Sequence, residues 1–87
     1  MDKKESAIEL EIIKGEQKII HDYFQQKFNH KDSSIAKSDF NKLEHMIYNT
    51  IERISTISGF TNKIQGIAIK YDLQSLYLKA YQSKIIK

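Results

Sequence analysis

An all-α domain, a small antiparallel bundle of three long helices, is what this sequence predicts, and three observations carry the expectation. Proline is absent and glycine occurs only three times among 87 residues, so little interrupts a helix and few positions favour the tight turns of a β fold. Apolar residues recur at steps of three and four over three long stretches, the spacing that lines one side of an α-helix. The polar segments between those stretches are short, which makes consecutive helices neighbours running in opposite senses. The helices are expected at about 7–28, 39–58 and 62–86, within a single domain. A chain of this length buries only about 60% of its unfolded surface, so its core is modest.

In the first stretch, Ser6 followed by Glu9 has the spacing of a capping box. Beyond it Ile8, Ile12, Ile13, Ile19, Ile20, Tyr23, Phe24 and Phe28 cover slightly more than half of the helical circumference, with Glu11, Lys14, Lys18, Asp22 and Gln25 on the remainder. The wider side is expected to be buried. Gly15 lies near the polar boundary and costs about 1 kcal/mol relative to alanine there, a tolerated weak point. Residues 29–34, NHKDSS, have no apolar anchor and many side chains that compete for backbone hydrogen bonds, the signature of a connection. Ile35 and Ala36 are read as a short extra turn.

The second stretch gives the clearest pattern. Phe40, Leu43, Ile47, Ile51, Ile54 and Ile57 fall on one stripe, Ser38 stands before it as an N-cap, and Gly59 stands after it where a left-handed residue closes a helix. Thr61 and Asn62 then cap the next helix, so a tight hairpin about Gly59 is expected.

The third stretch is apolar nearly all round. As one straight helix it puts Ile64, Ile67, Ala68, Tyr71 and Leu78 on one side and Ile69, Leu73, Leu76 and Ala80 on another, with Tyr77 and Tyr81 between. Three helices cannot bury so much, so either the helix breaks at Asp72 or its second face meets a partner, another copy of the chain included. In the broken form, residues 65–82 resemble a helix-turn-helix: Ala68 takes the small position flanked by Ile67 and Tyr71, and Leu73, Leu78 and Tyr81 take the later apolar places. That resemblance implies DNA binding, with Gln74, Ser75 and Lys79 toward the major groove and Lys70 or Lys84 on phosphates. Asp72 stands where the motif has its turn glycine, and Leu76 and Tyr77 fall where a recognition helix carries polar residues. The predicted core comprises Ile12, Ile20, Phe24, Leu43, Ile47, Ile51, Ile54, Ile64 and Ala68.

Charge is segregated along the chain. Residues 1–52 carry eight lysines and ten acids, whereas residues 53–87 carry Arg53 and five lysines against Asp72 alone. A positive field of this kind attracts nucleic acid, anionic surfaces or acidic proteins. Thirteen lysines to one arginine lean away from base reading, which uses the forked arginine side chain. Cysteine is absent, so disulfide and thiol chemistry are excluded. His21, His30 and His45 stand singly without a second ligand at metal spacing, and there is no glycine-rich phosphate loop, so no cofactor, metal or enzymatic activity is expected. No leader-like or membrane-spanning apolar run occurs, and a cytoplasmic location is the expectation.

These features point to a small regulatory or inhibitory protein that acts through its basic C-terminal helix on a protein partner or on a second copy of itself, a homodimer. Leu76, Tyr77 and Tyr81 are the expected anchors and Lys70, Lys79 and Lys84 the steering charges. One further resemblance rests on Thr61, Asn62, Lys63 and Ile64, which follow an amphipathic helix in a small basic chain. This segment resembles a short stretch of the immunity proteins of lactic-acid-bacterial bacteriocins. The resemblance implies a cytoplasmic helical bundle acting with a membrane transporter.

Overall fold

The computed structural model describes the backbone of residues 3–56 and 63–87. Three helices, α1 (Lys3–Lys27), α2 (Lys37–Thr56) and α3 (Lys63–Tyr81), pack against each other, and two short strands, β1 (Ser34–Ala36) and β2 (Lys84–Ile86), close one end. The all-α bundle is therefore the architecture of the chain. Its core is built by Ile13, Ile20 and Phe24 from α1, by Phe40, Leu43, Ile47 and Ile54 from α2, and by Ile69, Leu73, Leu76 and Ala80 from α3. No described helix is long and apolar enough to cross a membrane.

Polar contacts fix how the helices sit. Glu16 in the middle of α1 accepts the hydroxyl of Thr50 at 3.0 Å and pairs with Arg53 at 3.3 Å, both late in α2. Tyr23, further along α1, donates to Asp39 at the start of α2 at 3.3 Å. Successive contacts thus run in opposite directions along the two helices. Thr50 is a buried hydroxyl, and the Glu16 carboxylate removes the penalty of leaving it unpaired. Burial, then the charge of Asp39 and the bond to it, raise the pKa of the Tyr23 phenol above its ordinary value.

Helix boundaries differ from the sequence expectation in ways with local causes. Helix α1 begins at Lys3, so Ser6 lies inside it rather than at its cap; nothing between Lys3 and Ala7 opposes helix. Helix α2 begins at Lys37, one residue before Ser38, because the chain enters it directly from β1; Asp39 in the first turn complements the helix dipole. The expected hairpin about Gly59, with Ile57, Thr61 and Asn62, lies outside the described residues.

The largest correction concerns α3. It is one uninterrupted helix through Asp72, so the break near residue 72 is absent. Asp72 is held in the helix by α1: its Oδ2 accepts hydrogen bonds from Gln17 Nε2 at 2.7 Å and His21 Nε2 at 2.6 Å. The helix ends at Tyr81, short of the expected residue 86, where Gln82 N donates to Leu78 O at 2.9 Å and both Ser83 N and the Ser83 hydroxyl donate to Ala80 O. These bonds satisfy carbonyls that a helix end leaves open.

Residues 84–86 instead form β2, paired in parallel with β1 in the register Ser34↔Lys84, Ile35↔Ile85 and Ala36↔Ile86. Ile35 and Ala36 are thus strand, not an extra turn, and Ile35 is 1% exposed. The connection before β1 is ordered by its own polar atoms. Asn29 and Ser34 exchange backbone hydrogen bonds of 2.8 and 3.2 Å, Asn29 Oδ1 accepts from Lys31 N, and Ser33 adopts a left-handed φ of 53°. That turn aims the Ser33 carbonyl at Lys84 N, 2.9 Å away.

The core expectation holds for Ile20, Phe24, Leu43, Ile47 and Ile54, and Ile51 is half-buried. It fails at Ile12, Ile64 and Ala68, which are exposed. Their places are taken by Ile13 on α1 and by Ile69, Leu73, Leu76 and Ala80 on α3.

Candidate partner-binding surface

Residues of a helix advance by about 100°, so positions three or four apart share a side and the two apolar sets of α3 point in opposite directions. Gly66, Ile69, Leu73, Leu76 and Ala80 turn inward and are buried. On the opposite side Ile64 is 81% exposed, Tyr71 68% and Leu78 53%, and Ile67 is exposed with them. Helix α3 thus carries a second apolar stripe that the bundle does not cover.

The expected site residues fall into three groups. Leu76 is 8% exposed and belongs to the core, so it is not a surface anchor; it lies on the side of α3 that faces the other two helices. Tyr77 and Tyr81 form an aromatic ledge with Phe40: Tyr77 and Tyr81 stack at 6.0 Å between ring centroids, and Phe40 lies 5.8 and 6.4 Å from them. Tyr77 is half-buried and Tyr81 exposed. The Tyr77 hydroxyl donates to Glu44 Oε2 at 2.8 Å, and this bond, with some burial and the charge of Glu44, raises the Tyr77 pKa. Among the lysines, Lys70 is exposed and forms no ion pair among the described residues. Lys79 lies over the rings of Phe24 and Phe28 at 5.8 and 6.0 Å, a cation–π position that turns it toward α1. Lys84 is part of β2, far from a helical register with the others.

Gln74 and Ser75 are exposed on a continuous helix, with no turn before them to present a separate recognition helix. Lys79, the third residue of that set, is drawn to the α1 side. The arrangement a helix-turn-helix needs is therefore not assembled.

Gln74 does take part in another feature. An open trough of about 450 Å³ runs between α2 and α3, lined by Asn41, Glu44, His45, Ile47, Tyr48, Ile51, Gln74 and Tyr77. Ile47 and Ile51 supply its apolar floor, and the exposed Tyr48 stands on its α2 side. Ile67 lies two turns from Gln74 on nearly the same side of α3, so the outer apolar stripe borders the trough.

Electrostatics on α3 are one-sided. Its acid, Asp72, is turned to α1 and engaged by His21 and Gln17. Burial pushes the Asp72 pKa up, but the His21 and Gln17 hydrogen bonds and the His21 charge outweigh it and leave the carboxyl below its ordinary value. No group of three metal-ligating side chains gathers among the described residues. The surface presents an apolar stripe, tyrosine rings and Lys70, which forms no ion pair among the described residues.

Ile67, Tyr71 and Leu78 are the surface residues that the sequence expectation did not choose as anchors. Periodicity separates the two sets of α3 cleanly, but it does not say which set turns inward. Compared with known protein families, characterised proteins and solved structures, the chain matches none.

Proposed function

We propose that the chain is a small regulatory or inhibitory binding protein that engages a protein partner through the outer face of α3. The observation that supports this reading is the second apolar stripe, Ile64, Ile67, Tyr71 and Leu78, left uncovered on a helix whose opposite side already fills the core. A monomer gains nothing from four large apolar side chains along one exposed line, whereas an interface gains from such anchors, aromatic ones above all. Tyr81 extends the stripe toward the aromatic ledge, and Lys70 supplies a charge that steers encounter.

The test compares the purified chain with Tyr71→Glu and Leu78→Glu as affinity baits, with circular dichroism on each. Both variants should keep the fold, since neither side chain is buried, and both should lose a partner that the parent chain retains. Retention of the same proteins by all three baits would refute the reading. Light scattering on the same samples identifies a self-partner: a dimeric parent and a monomeric Leu78→Glu variant would make the partner a second copy.

A further inference from the structure

We infer that the end of the bundle closed by the β1–β2 ladder is a peripheral docking surface for an anionic lipid bilayer, which the molecule meets end-on. The fold gathers there lysines that the sequence keeps apart. Helix α1 finishes, α2 starts and α3 finishes at the ladder, so residues 27–42 and 79–87 share one end. Lys27 and Lys42 stand over the ring of Tyr23 at 5.9 and 5.5 Å, and Lys79 over the rings of Phe24 and Phe28. Lys31 lies in the turn that leads into β1, and Lys37 directly follows that strand; Lys84 opens β2 and Lys87 follows it. All of these lysines are exposed, and none forms an ion pair among the described residues.

The two segments hold four and three lysines against Asp32 and Asp39, a charge of +5 in a chain whose total is +3, so the remainder carries −2. Counting Asp22 and Glu44, the next acids along α1 and α2, still leaves this end at +3. The molecule extends 46 by 18 by 17 Å, so the positive charge sits at one tip of an elongated body. A field of that shape turns the tip toward a negative surface.

Three observations favour a bilayer over other polyanions. The lysines come from all three helices and from both sides of the ladder, so they are spread around an end, where a flat surface meets them together; a nucleic-acid backbone is tracked by charges set along a groove. Ile86 and Tyr81 are exposed among them, and such side chains gain from the boundary between headgroups and acyl chains, whereas a phosphate backbone offers them nothing. Every basic group in the two segments apart from His30 is a lysine, which supplies charge without the forked contacts that read bases or clamp carboxylates. Standing end-on leaves Ile64, Ile67 and Tyr71 clear of the surface, so the inference goes beyond the protein-partner reading and does not depend on it.

The test is co-sedimentation of the full chain with vesicles of phosphatidylcholine alone and of phosphatidylcholine mixed with phosphatidylglycerol. The chain should pellet with the mixed vesicles only, and less as salt rises. Lys31→Glu combined with Lys84→Glu should weaken that binding at least about 25-fold, from about fivefold for each lysine lost at the surface. Lys14→Glu combined with Lys18→Glu makes the same change in net charge on α1, away from the ladder, and should weaken it less than about threefold, because screening confines attraction to about 8 Å at physiological salt. All four side chains are exposed, so both variants should keep the circular dichroism of the parent.

Failure to bind the mixed vesicles, equal binding to both kinds, or equal loss in the two variants would overturn the inference. Tighter binding at the same salt to random duplex DNA would assign the lysines to nucleic acid, and tighter binding to polyglutamate would assign them to an acidic protein; either result overturns it as well. None of these outcomes bears on the α3 stripe, whose own test is the release of a partner by Tyr71→Glu and Leu78→Glu.

Discussion

Asp72 illustrates how one side chain can decide between two architectures. A short polar residue in the middle of an apolar stretch competes for backbone hydrogen bonds and is a common place for a helix to end. Here His21 and Gln17 occupy the carboxylate instead, and the helix continues past it. The same contacts make stability depend on acid. A carboxyl whose folded pKa lies below its unfolded one adds stability that is complete above the unfolded value, about 3.9, and is lost as pH falls through the folded value. Asp72 and His21 are 41% and 38% exposed as side chains, so after solvent screening the pair contributes no more than about 1 kcal/mol. Urea unfolding of the parent chain and Asp72→Asn should therefore differ by up to that amount at pH 5 and converge as pH falls through the folded value. A difference that stays constant from pH 6 to pH 2 would show that the carboxylate charge plays no part.

At the scale of the element, α3 is the helix whose composition and burial disagree. Alanine in place of Leu73 empties a fully buried site and should cost about 2 to 4 kcal/mol, whereas alanine in place of Leu78 should change stability by less than about 0.5 kcal/mol. Thermal or denaturant unfolding of the two variants decides it, and a Leu78 variant as damaged as the Leu73 one would mean the outer stripe is covered within the chain. Helix α2 shows the opposite case. Its stripe of Phe40, Leu43, Ile47 and Ile54 is legible from spacing alone because its other side is polar apart from Tyr48, and the structure buries that stripe. On α1 the sequence identifies the helix but not which of two adjacent isoleucines points inward; Ile13 is buried and Ile12 exposed, since a wide apolar arc leaves its centre undefined. For α3 the ambiguity is total. Two stripes of similar width face opposite ways, and the choice depends on where α1 and α2 lie. The anchor expected at Leu76 therefore falls in the core, and Tyr71 and Leu78 hold the exposed side.

At the scale of the molecule, three helices and a two-stranded parallel ladder share one core. The ladder was not legible in the sequence: strands of three residues are too short to show a period of two, and their pairing joins distant segments. Ile35 and Ile85 stand fifty positions apart, whereas the neighbouring Asn29–Ser34 bridge spans five. Closing the longer loop costs about 2 kcal/mol more in chain entropy, from the logarithm of a tenfold difference in length. A contact that expensive to reach forms after the nearer ones, so it should be missing from the transition state for folding. Ile85→Ala should then accelerate unfolding and leave the folding rate unchanged in a stopped-flow chevron; a folding rate that drops in proportion to the lost stability would place the ladder in the nucleus. In kinetic terms β2 works as a latch: it does little to build the bundle, and it sets how long the bundle, once built, stays closed.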